Sequence, residues 1–157
     1  MNAIELLKAQ HRQVERLFEE MQAARGDDKR RLFLDLADSL AIHTVIEERH
    51  FYPAVRARQT EELVTESVRD HQVIKRRLVD LLRTDVSDDA FASKVAALEE
   101  DITAHVAEEE GELFPRVEEL LDADQLEELA QAMSATAAEL AEEEPPAGIP
   151  EEIRPLH

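Results

Sequence analysis

Apolar side chains return at three- and four-residue steps along most of this chain, the spacing of one face of a helix. Ile4, Leu7, His11, Val14, Phe18 and Met21 form the first stripe and predict a helix over about residues 3–24. Gly26-Asp27-Asp28 then reads as a helix stop followed by an N-cap. Phe33, Leu36, Leu40, His43 and Glu47 mark a second helix, from about residue 29 to the neighbourhood of Pro53. Proline lacks an N–H and should kink or end it there. Val64, Ser67, His71, Ile74, Leu78 and Leu81 align along a third helix, over about residues 60–83. After an acidic turn at residues 85–89 comes a fourth, with Phe91, Val95, Leu98, Ile102, His105 and Glu109 on one face and Pro115 interrupting it near its end. Leu126, Leu129, Ala130 and Met133 predict a shorter fifth helix, over residues 125–142, packed on the others from outside.

Four long stripes joined by short turns predict an all-α, up-down-up-down four-helix bundle over residues 1–122. Residues 123–142 then form an accessory helix, and residues 143–157 an extended tail rich in proline and glutamate. Composition agrees, with only 3 glycines against 43% hydrophobic residues. A net charge of −19 repels nucleic-acid phosphates and anionic lipid headgroups, so neither is an expected partner. Cysteine is absent, which removes disulfides and thiolate ligands from consideration. The first residues lack a basic and then apolar leader, and no run is long and apolar enough to span a bilayer. A cytoplasmic location is expected.

The chain also repeats itself. The segment from His43 to Pro53 matches the segment from His105 to Pro115 as H-x-x-x-E-E-x-x-x-aromatic-Pro. The interval from His11 to His43 nearly equals that from His71 to His105, so two hairpins share one plan. His43 with Glu47, and His105 with Glu109, are i,i+4 pairs that project from one helix face. His11 and His71 hold matching core positions on the partner helices. Neighbouring axes in a bundle lie about 8–10 Å apart, a gap that a cation bonded from both sides can span. Imidazole with carboxylate suits iron, manganese or zinc. An ionised carboxylate in an apolar bundle is costly unless paired or bound to metal, and no Lys or Arg stands on the inner stripes. One such histidine alone is ordinarily a satisfied core residue. Four of them on four seams, duplicated with two matched glutamates, point to a metal.

Further residues adjoin this set. His50 lies seven residues after His43 and either supplies an extra imidazole, orients a ligand, or sits on the surface. Tyr52, the chain's one tyrosine, is either a core aromatic or a phenolate that reaches the metal; Phe114 holds its place in the repeat. Glu48 and Glu110 are expected to face solvent or to hydrogen-bond the ligands from behind. The acidic runs at residues 108–110 and 142–144 read as solvated faces, and His157 has no expected role.

The pattern H…H-x-x-x-E-E…H…H-x-x-x-E, with aromatic-Pro after each glutamate pair, resembles the haemerythrin / HHE cation-binding family over about residues 3–122. The resemblance implies a haemerythrin-like bundle with a non-haem centre of two irons, joined by an oxo or hydroxo group. It implies that His11 and His43 bind one iron and His71 and His105 the other, with Glu47 and Glu109 bridging. The sequence departs from the oxygen carriers of the family at Lys75, where they have a histidine four residues after the one matching His71. On the fourth helix the carriers use H-x-x-x-x-D, a spacing that falls here on Glu110. The internal repeat instead pairs Glu109 with Glu47 and favours Glu109 as the bridge.

Membership of such a family implies a centre that meets small oxidants: hydrogen peroxide, O2 or NO. The position left open at Lys75 favours redox turnover, a catalase-like disproportionation of hydrogen peroxide in oxidative stress. The alternative is reversible binding of O2 or NO, or sensing of oxygen or iron, without turnover. A metal-free bundle that uses its seams for a protein partner is the third reading. No sensor or DNA-binding module is appended in the sequence, so electrons or a signal are expected to pass to a separate redox or signalling partner.

Overall fold

A computed structural model of the protein describes residues 1–143. The tail expected over residues 143–157, and His157 within it, lies outside the described residues after Glu143. All regular structure among the described residues is helical. Helix α1 (Ala3–Ala23) starts where Asn2 and Glu5 cap each other: Asn2 Oδ1 accepts from the Glu5 N–H at 2.9 Å, and Glu5 Oε1 accepts from the Asn2 N–H at 3.0 Å. Helix α2 (Gly26–Ile46) follows after Ala24 and Arg25. Gly26 adopts φ +57°, a left-handed conformation that lets the chain reverse without strain. The glycine therefore opens α2 instead of stopping the first helix. Asp27 and Asp28 lie in its first turn, where unpaired N–H groups favour carboxylates, and no side chain caps it.

Neither Pro53 nor Pro115 ends its helix outright, and the distortion at each takes the form of a widened turn just before it. Helix α2 runs on into a π-helical turn, Glu47–Phe51, and then a short α3, Tyr52–Val55. After α4 (Glu61–Leu82), helix α5 (Asp89–Glu108) does the same, through a π-turn at Glu109–Leu113 and α6 (Phe114–Leu120). In each π-turn the wider i→i+5 bond runs from the Tyr52 or Phe114 N–H to the carbonyl of Glu47 or Glu109. The widened turn precedes the proline, whose ring would otherwise crowd the carbonyl one α-turn back. Aromatic and glutamate are thus one π-turn apart and share a face. That geometry, absent from a plain α-helix, decides what lines the centre of the bundle.

Helix α1 pairs most extensively with α2, and α4 with α5. The interior is layered. One apolar core gathers Val14, Phe18, Phe33, Leu36, Leu78, Phe91 and Leu98. A second gathers Leu7, Ile46, Phe51, Val64, Leu113, Phe114 and Met133. Along each stripe the buried histidine falls between them: His11 between Leu7 and Val14, His71 between Val64 and Ile74.

Helix α7 (Ala123–Glu142) begins at a capping box of Asp122 and Gln125. At 20 residues it starts two residues before the expected boundary and ends at the expected one. It packs on α1, α2 and the first π-turn, and buries Leu126, Ala130, Met133 and Leu140. No helix among the described residues is long and apolar enough to cross a membrane. Because Met133 is fully enclosed in the second core, Met133→Ala should lower unfolding stability in denaturant titrations by about 2–5 kcal/mol. Leu129→Ala, at a partly exposed position on the same helix, should cost clearly less.

Candidate metal centre

The polar layer between the two cores brings together His11, His43, Glu47, His71, His105 and Glu109, all buried. Two sets of donor atoms converge there: His11, His43, Glu47 and Glu109 form one, and Glu47, His71 and His105 the other. Within each set the donors lie within 4.8 Å of one another. A cation bonded at about 2 Å to each donor holds opposite donors about 4 Å apart, so a small contraction closes either set. Each carboxylate stands between the hairpins. Glu47 Oε1 is 3.0 Å from His43 Nε2 on its own helix and 3.1 Å from His71 Nε2 across the bundle. Glu109 reaches His105 Nε2 at 3.4 Å and His11 Nε2 at 3.1 Å.

The donor atoms test whether a cation fits. His11 Nε2, His43 Nε2, His105 Nε2, Glu47 Oε2 and Glu109 Oε1 are buried and make no hydrogen bond. An unsatisfied buried polar atom costs about 1–3 kcal/mol, and here several face one another in one layer. Cations held by the two sets would satisfy them.

The opposite ring nitrogens are fully engaged. His11 Nδ1 lies 2.6 Å from Glu110 Oε2, and His71 Nδ1 2.9 Å from Glu48 Oε2. His43 Nδ1 lies 2.7 Å from Gln10 Oε1, and His105 Nδ1 3.0 Å from Asp70 Oδ2. All four acceptors are oxygens, so each Nδ1 carries a proton, and each Nε2 faces inward, where it offers a lone pair to a cation once that nitrogen is unprotonated. Glu48 is shared with Lys75 at 3.2 Å, and Glu110 with Arg12. Tyr52, also buried, donates its hydroxyl to Glu109 Oε2 at 2.7 Å and lies 3.2 Å from His71 Nε2. Its repeat counterpart Phe114 stacks parallel to the His11 ring instead.

Charges in this layer are strongly coupled. Burial alone would lower the His105 pKa, but Asp70 and Glu109 reverse this and hold it well above the imidazole range. Burial likewise opposes protonation of His11 and His71, and neighbouring carboxylates again prevail and raise both. Glu47 is pushed up by burial, yet His43 and His71 outweigh that and keep it well below the carboxylate range. Burial, with Glu47 and Glu109 nearby, drives the Tyr52 phenol well above its usual value. Without a cation, protonated imidazoles are the counter-charge for the buried acids.

A family model described as the Hemerythrin HHE cation binding domain matches residues 2–117. The chain belongs to this family. Among solved structures, a Hemerythrin HHE cation binding domain-containing protein from Mycobacterium kansasii superposes with a TM-score of 0.79 at 28% identity, over 88% of this chain and 86% of that one. A curated relative, named a DNA nickase, from Nostoc sp., is 27% identical over 141 residues. The alignment takes in 89% of this chain but 40% of the relative, so the chain spans less than half of that protein's length.

Within this HHE domain all six expected ligand residues converge. Glu109, fully buried, lies in the layer, while Glu110, part-exposed, reaches the outer nitrogen of His11. Glu48 plays the same part for His71. Of the alternatives for His50, the structure does not place it in either donor set: its Nε2 lies 2.7 Å from Thr136 Oγ1 on α7. The π-turn inserts a residue between His43 and His50 and rotates His50 off the histidine seam. Sequence reasoning missed Gln10 and Asp70. Their signal was available, since each directly precedes the first histidine of its hairpin and both carry an oxygen acceptor.

These couplings fix a pH dependence. His11, His71 and His105 titrate above the ordinary 6.5 when folded. Their contribution to stability is complete below that value and is lost as pH rises through the raised folded values. Metal-free protein should therefore melt at progressively lower temperature as pH is raised from about 6 to about 9. Cation binding needs unprotonated Nε2 atoms, so the extra stability gained on adding metal should grow over the same range. Parallel melting curves with and without metal across that range would contradict this account.

Proposed function

We propose that this chain is a non-haem di-iron protein whose centre reacts with small oxidants, above all hydrogen peroxide, which it disproportionates to water and dioxygen. The observation that carries this is the ring of buried, unpaired donor atoms on His11, His43, His105, Glu47 and Glu109, each imidazole held from behind by an oxygen acceptor. In this reading four helices in up-down-up-down order over residues 1–122 form the metal-binding unit, and residues 123–142 brace it. His11 and His43 hold one iron, His71 and His105 the other, and Glu47 and Glu109 bridge. A carboxylate-bridged iron pair supplies the two-electron redox chemistry that peroxide disproportionation needs.

The protein's own residues support turnover in three ways. Lys75, where the family's oxygen carriers have a histidine, is bonded to Glu48, which leaves one fewer imidazole at the His71 side. The Tyr52 hydroxyl stands beside that side and holds a proton against Glu109 Oε2. A cleft of about 400 Å³ between α1 and α5 reaches His11 and Glu110, which gives a small molecule an approach to the layer. Its lining mixes the apolar Phe18 and Ile102 with acidic residues such as Glu15 and Glu99, which disfavour an anion more than a small neutral species. The DNA nickase named above shares only this region with the chain, and a net charge of −19 offers no attraction to a phosphate backbone. In this reading the protein works in the cytoplasm.

Iron-loaded protein should contain two irons per chain and release O2 from added peroxide over many cycles. Glu47→Gln with Glu109→Gln should abolish both iron retention and its visible absorption. A spectrum that appears with O2 and reverses under vacuum, without peroxide turnover, would replace catalysis by reversible binding. Protein that takes up no iron would remove the dinuclear reading altogether.

A further inference from the structure

The two halves of the centre are built on one plan, and their outer contacts can be compared position by position. Glu110 behind His11 matches Glu48 behind His71, and each shares its charge with one cation, Arg12 or Lys75. Those contributions balance between the halves. The remaining pair does not balance. His43 Nδ1 donates to the neutral carboxamide of Gln10, whereas His105 Nδ1 donates to the Asp70 carboxylate. Among the described residues the one ion-pair partner of Asp70 is His105, so its charge is not shared with Lys or Arg.

A carboxylate that accepts from Nδ1–H pushes electron density onto Nε2 and makes the ring a stronger donor; a carboxamide does this far less. It also places one more negative charge close to the cation. Resting on the dinuclear assignment proposed above, we infer that Asp70 is a positioning residue that makes the two metal positions unequal. The His71–His105 position binds its cation more tightly and fills first. The His11–His43 position, backed by Gln10 and facing the α1–α5 cleft, fills second and exchanges more readily.

This contribution to the difference lies in one pair of side chains, so it can be transplanted. Full-chain protein stripped with a chelator would be titrated with Zn²⁺, following imidazole side-chain resonances by NMR, and with Co²⁺, following its visible bands. In the wild type the resonances of His71 and His105 should move with the first equivalent, and those of His11 and His43 with the second. Asp70→Asn should weaken the first equivalent by about 10-fold or more, the usual effect of losing such an outer partner. Gln10→Glu should strengthen the second, and the double variant should reverse the order of filling. Asp70 is partly exposed and asparagine has its shape, so metal-free melting should be little changed; a purely structural role would shift melting without shifting the order. Simultaneous filling with equal affinity in all variants, or His11 and His43 responding first in the wild type, would overturn the inequality while leaving the dinuclear assignment standing. No metal uptake by the wild type would overturn both.

Discussion

Glu47 and Glu109 are wholly withdrawn from water in the middle of a helical bundle, and their ion-pair partners among the described residues are histidines alone. That burial is the constraint on which the rest of the structure turns. Two carboxylates in an apolar interior require positive charge, and neutral imidazoles supply none. The layer can answer by protonating its histidines, as the raised values at His11, His71 and His105 show, or by taking up cations. The outer hydrogen bonds serve both answers. With every Nδ1 engaged by an oxygen, each Nε2 faces the carboxylates, which it pairs with when protonated and would share with a metal when not.

The π-turns carry this constraint into the backbone. Each starts at a buried glutamate, whose carbonyl accepts from the N–H of an aromatic that is followed by proline. An α-turn sets histidine above glutamate, and the next, wider turn sets the aromatic below it. Tyr52 thereby meets Glu109, and Phe114 comes against His11. The same inserted residue carries His50 round to α7, where it meets Thr136. One local irregularity thus fills the centre with an aromatic floor and ties the fifth helix to the hairpin that bears Glu47.

The duplicated hairpins make a nearly symmetric cage, and the departures from symmetry are few: tyrosine against phenylalanine, aspartate against glutamine, and α7 covering one π-turn. The family's shared plan accounts for the symmetric part. The asymmetric part belongs to this chain, and there its own chemistry is to be sought.

The features legible in the residues are the local ones. Helix positions, the inward stripe and the i,i+4 pairing of His43 with Glu47 and of His105 with Glu109 are set by a repeat of three or four residues. The internal duplication then picked out the two hairpins and the six histidines and glutamates that converge between them, without any coordinates. Contacts between helices are different, because they depend on the rotation and register of one helix against another, which periodicity leaves free. Gln10 reaching His43, Asp70 reaching His105 and Tyr52 reaching Glu109 were decided only when the four helices packed. His50 shows the limit most plainly: counted at α-helical spacing it shares a face with His43, and a single widened turn moves it to another helix. The sequence by itself determined which side chains must be buried together; tertiary packing decided which of their atoms face inward and what holds them there.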